Sequence, residues 1–89
     1  MKIGIVRGTV VSTHKDSRLV GYKFLIVQEI DADRNIVGGH EVAVDTLDAG
    51  IGETVLLCSG SSAKLLTGDV NMPIDLAVIG IVDTMDTSN

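Results

Sequence analysis

The stretch Ser59-Gly60-Ser61-Ser62-Ala63-Lys64 places hydroxyls and one ammonium at a turn that follows an apolar run. Three chemistries use residues of these types. A nucleophile elbow needs G-x-S-x-G, and the second glycine is missing here. It also needs a base, and the two histidines, His14 and His40, fall in expected loops. A phosphate loop needs G-x-x-x-x-G-K-[ST], but Lys64 lies between Gly60 and Gly68 rather than after a correctly spaced glycine. A metal centre needs a ligand cluster, and Cys58 is the single cysteine. Asp45, Asp48, Asp75 and Asp83 sit near strand ends or turns, where solvated carboxylates are the ordinary expectation. The remaining reading is constructional: Ser61 and Ser62 satisfy amides at the start of a short helix.

The elements that must position this turn follow from the hydrophobic pattern. Residues 3–13 read as a strand rich in β-branched side chains, with a phase slip between Ile5 and Val6 that implies a bulge or a barrel bend. Residues 14–18 read as a polar turn. Residues 22–31 are the strongest strand signal, with Tyr22, Phe24, Ile26 and Ile30 on one face and Leu25 and Val27 on the other. Asp33-Arg34-Asn35 and Gly38-Gly39 punctuate a hairpin-like connection. Further strands are expected over 40–46, 53–59 and 74–83, with a tight turn at Ala49-Gly50-Ile51-Gly52 and a helix over 61–67 capped by Gly68. Gly8, Gly21 and Gly80 fall where a barrel must bend. The pattern predicts a mainly β protein: a small five-stranded OB-like β-barrel with one short helix. The domain covers 1–83, and 84–89 reads as a polar C-terminal tail.

Composition bounds the function. The chain has 89 residues, 45% apolar but only 2% aromatic. Its aliphatic mass exceeds what one thin core needs, and surplus apolar surface implies a partner. The net charge of −5 opposes phosphate backbones and anionic lipid. Tyr22 and Phe24 are the only aromatics, and Glu29, Asp31 and Asp33 follow on the same segment, so they read as barrel core rather than a base-stacking platform. Cys58 reads as a small core residue in a reducing compartment. No signal peptide pattern opens the chain, and no apolar run reaches the roughly 20 residues of a membrane helix. A cytoplasmic protein is expected.

Three blocks in order carry a resemblance. "GTVVSTHK" followed by Leu19, Gly21 and Lys23, then "VAVDTLDAGIGETVLLCSGSSAK", then "MPIDLAVIGIVD" together resemble the vertex proteins of bacterial microcompartments, found in carboxysomes and in ethanolamine- and propanediol-type compartments. The resemblance spans residues 1–83. It implies a β-barrel subunit of a cyclic homopentamer that caps the vertices of a polyhedral shell otherwise tiled by hexameric shell proteins. It implies no catalysis and no cofactor. Asp48 stands where the family often has glycine, and Lys64 where it usually has arginine, which forms a bidentate fork that lysine lacks. On this reading Gly50, Gly52, Glu53, Gly60, Ser61, Ser62, Ala63 and Lys64 are candidates for the subunit interface or the central opening. Gly60 is expected to need a backbone shape or a close approach that a Cβ would obstruct. The alternative is an OB-like binding module for nucleic acid or a protein partner, and an enzyme ranks last.

Overall fold

The computed structural model describes residues 1–11, 17–60 and 74–87. The expected helix over 61–67, with Ser61, Ser62, Ala63 and Lys64, lies outside the described residues. Five strands, β1 (Lys2–Val10), β2 (Lys23–Ile30), β3 (Ile36–Asp45), β4 (Thr54–Ser59) and β5 (Leu76–Ile81), are joined in the closed order β1-β2-β3-β5-β4. All neighbours are antiparallel except β3 and β5, which run parallel and pair only through Val44 with Ala77 and Asp45 with Val78. Closure leaves the barrel itself without a free edge, the usual hazard of a small sheet.

The core is built from small aliphatic side chains. Val6, Leu25, Val27, Ala43, Ala49, Val55, Leu57, Leu76 and Val78 form one buried cluster inside the barrel. The interior is narrow enough that Gly4 has no room for a side chain: a Cβ there would lie 3.0 Å from Leu57 Cδ1 and 3.2 Å from the Gln28 carbonyl. A second cluster sits on the other side of the β2–β3 wall, where paired Phe24 and Val44 meet Ile74, Leu19 and Tyr22. A 3-10 turn at Ser17–Leu19 brings Leu19 to this cluster. Both aromatics are therefore packing residues. Cys58 is buried, as expected, beside its strand partner Ala77.

Several expectations are corrected. The register slip in β1 falls between Val6 and Gly8, not between Ile5 and Val6, and Val6 is fully buried. β3 begins at Ile36, so Gly38-Gly39 lies within a strand and the connection is the tight turn at Asp31–Asn35 alone. There the Asp31 carboxylate accepts the amides of Asp33 and Asn35, each at 2.9 Å. A second register shift lies between Gln28 and Ile30, and Ile30 is buried whereas Phe24 and Ile26 remain half-buried. β4 and β5 are each shorter than the apolar runs that announce them. Asp45 is not a solvated turn carboxylate but is 4% exposed.

Candidate functional site

Two surfaces of the barrel hold the residues singled out by sequence. The first is the 46–53 loop, which Asp45 organises. Its carboxylate accepts the Leu47 amide at 2.9 Å and the Ala49 amide at 2.7 Å, holding buried Ala49 in the core. Asp48 adopts a φ of 59°, the left-handed region that favours glycine, which is why a glycine suits this position. Its carboxylate takes the Lys23 ammonium at 3.0 Å, and the same ammonium donates to Ala49 O at 3.3 Å. Gly50 N donates to Glu53 Oε1, and Glu53 N donates back to Gly50 O at 3.1 Å. The loop is clamped to β1 by Gly52 N to Val6 O (2.8 Å) and Val6 N to Glu53 O (2.9 Å). Gly50, Gly52 and Glu53 thus form one braced, exposed turn, with Ile51 70% exposed at its tip.

The second surface is a groove of about 440 Å³ lined by Lys2, Glu41, Val42, Ser59, Asp75 and Leu76. It opens where β3 and β5 part, just before their two paired positions. Lys2 bridges its floor, reaching Glu41 at 3.1 Å and Glu29 at 3.7 Å. The hydrogen bond and charge of Glu41, assisted by Glu29, raise the Lys2 ammonium above its ordinary value. Gly60 borders the groove: its amide donates to Asp75 O at 3.1 Å, and its φ is +65°. No described atom lies within 4 Å of where its Cβ would be, so among the described residues Gly60 answers to backbone shape and not to a close approach.

Between these surfaces the β2–β3 hairpin extends as an arm, with residues 31–42 all exposed. The arm is braced from inside. Buried Gln28 donates its amide to Glu29 O at 3.0 Å, Gly38 O at 3.1 Å and Val37 O at 3.3 Å, taking up carbonyls freed by the register shift. Arg34 Nη1 ties the arm's tip to Thr54 Oγ1 at 3.2 Å. Composition gave no notice of Gln28, because its task depends on a bulge that only pairing reveals.

Among the described residues no three His, Cys, Asp or Glu side chains gather as a metal site, and no helix is long and apolar enough to cross a membrane. The two surfaces are a braced turn and a recess lined by both polar and apolar side chains. Residues 1–83 match the family model described as ethanolamine utilisation protein EutN/carboxysome. The chain belongs to the EutN/CcmL family. It is 46% identical to the carboxysome shell vertex protein CcmL of Gloeobacter violaceus over 89 residues, covering 100% of this chain and 89% of that protein. It is 48% identical to the bacterial microcompartment shell vertex protein PduN of Salmonella typhimurium, covering 96% of this chain and 98% of that one. The solved structure described as the GrpN pentameric microcompartment shell protein from Rhodospirillum rubrum superposes with a TM-score of 0.90 at 44% identity, covering 99% of this chain and all of that chain. Members of the EutN/CcmL family are structural shell proteins, so the barrel is a building block and not an enzyme.

Proposed function

We infer that this chain is a structural shell subunit that assembles as a homopentamer and caps the vertices of a polyhedral bacterial microcompartment in the cytoplasm. The observation that carries the reading is the barrel's near-identity in shape to a pentameric shell protein over its full length. The surface is compatible with it: Ile36, Val42 and Ile51 are each more than half exposed, aliphatic side chains that a partner would cover. Hexameric shell proteins are the expected neighbours of such a pentamer.

Within this reading, the Gly50–Glu53 turn and the segment Gly60-Ser61-Ser62-Ala63-Lys64 serve as the subunit interface or the border of the central opening. Residues 84–89 are a tail outside the barrel domain. The test is native mass spectrometry of the purified chain at micromolar concentration. A closed pentamer is expected. A persistent monomer would reject the assembly role, and a hexamer would keep the ring and reject the vertex.

A further inference from the structure

We propose that the groove beside Asp75 is the seat for a second copy of this chain, which inserts its Arg7–Ile51 corner so that the Arg7 guanidinium meets the Asp75 carboxylate. The proposal rests on the ring reading above and names the two faces that make the ring close. A cyclic ring needs a heterologous interface, in which one patch of each subunit fits a different patch of its neighbour. The barrel carries two such patches, both touching β1. Lys2 begins the strand in the groove, and Arg7 lies five residues along it, roughly 16 Å from Lys2 at about 3.3 Å per residue.

The charges are complementary. Among the described residues, Lys2 is paired with Glu41, Lys23 with Asp48, Arg34 is bonded to Thr54, and Arg18 also has a partner. Arg7, exposed after buried Val6, has none. In the groove, Glu41 is answered by Lys2, while the Asp75 carboxylate has no partner among the described residues, although the Asp75 backbone is held by Gly60 N. One unanswered cation and one unanswered anion thus stand on the two patches. Guanidinium and carboxylate suit one another as planar, two-point partners.

The apolar surfaces match as well. Ile51 stands at the tip of the turn whose Gly52 and Glu53 bond Val6, the residue before Arg7, and it is 70% exposed. The groove presents Val42, 51% exposed, next to buried Leu76. An isoleucine pressed against Val42 would shield the ion pair from water, and that shielding is where a charge pair gains weight. Both patches are rigid. Asp45, Glu53 and the β1 clamp hold the corner, and Gln28 and the Lys2 bridge hold the groove wall.

A charge swap decides it. The full chain is compared by native mass spectrometry over a dilution series with Arg7→Glu, Asp75→Arg and the double variant, each checked for an intact β-sheet by circular dichroism. Asp86→Arg, in the exposed tail, controls for the change in net charge. Each single reversal sets like charges facing across every seam. It is expected to weaken the ring by about tenfold or more in midpoint concentration, and the double variant to return it to within about threefold of wild type. Asp86→Arg is expected to leave the midpoint unchanged. Two broken single variants with no rescue, or loss of the ring with only one of the two, overturns the pairing. So does a ring indifferent to both reversals, and in that case the ring reading itself stands. A monomeric wild type overturns both.

Discussion

At the scale of single residues, the loop that presents Ile51 depends on one buried carboxylate. Asp45 sits at the end of β3 and accepts two amides that no strand partner could reach. Replacing it with alanine leaves the buried Ala49 N–H without an acceptor, at a cost of about 1–3 kcal/mol. Asp45→Ala is therefore expected to lower the denaturation midpoint, read by circular dichroism at fixed protein concentration because assembly shifts apparent stability. The Lys2 bridge makes a prediction in pH. Glu41 and Glu29 raise the ammonium above its ordinary value of 10.5, so the folded state holds that proton more tightly than the unfolded chain does. The bridge's contribution is fully present below pH 10.5 and disappears as pH rises through the elevated folded value. The difference in urea midpoint between wild type and Lys2→Met should be constant around neutral pH and close in strongly alkaline buffer. A difference that persists there would mean that the lysine stem, not its charge, supports the groove.

At the scale of elements, the strand-ending turn at Gly60 joins β4 to the segment whose small residues mark the family. Its φ of +65° lies in the left-handed region, and no described atom comes within 4 Å of the Cβ position. A β-branched residue at such a φ costs roughly 1–2 kcal/mol, whereas asparagine tolerates it well. Gly60→Val is thus expected to lower the stability of the folded subunit, and Gly60→Asn to leave it nearly unchanged. If Gly60→Asn nonetheless disperses the ring while the sheet survives, Gly60 serves the assembly and not only the backbone of its own subunit. The β2–β3 arm shows the complementary principle. An exposed hairpin is marginal by itself. Gln28 and Arg34 connect its carbonyls and its tip back to the barrel, so the arm projects without being loose.

At the scale of the whole molecule, charge separates the shell reading from the other common use of a small OB-like barrel. Five copies of a −5 chain would carry about −25, and binding to single-stranded nucleic acid draws on counterion release by clustered cations. Four of the five described cations already face a partner within the subunit. Both aromatics that might stack on bases are packed in the second core cluster. No association with single-stranded DNA or RNA is expected at physiological salt. Submicromolar binding in fluorescence anisotropy, with a steep salt dependence, would reverse this and restore the binding-module alternative.

Sequence alone settled what depends on local pattern and composition. The alternating and doubly apolar runs marked all five strands, because side-chain period and β-branching are local properties. The left-handed turns at Gly52 and Gly60 were visible because only glycine takes those angles freely. The three ordered blocks named the family. What the sequence could not settle are matters of register. A bulge adds one residue to one strand and changes which face every later side chain occupies. Pairing alone decided that β1 slips at Val6/Gly8 and that Gly38-Gly39 belongs to a strand. Asp45 shows the same limit: a carboxylate at a strand end looks solvated until the next turn folds back and offers it two amides. The groove at Asp75 has the deepest tertiary origin. It exists because β3 and β5, distant in sequence, pair for two positions and then part, leaving side chains from β1, β3, β4 and β5 around one recess.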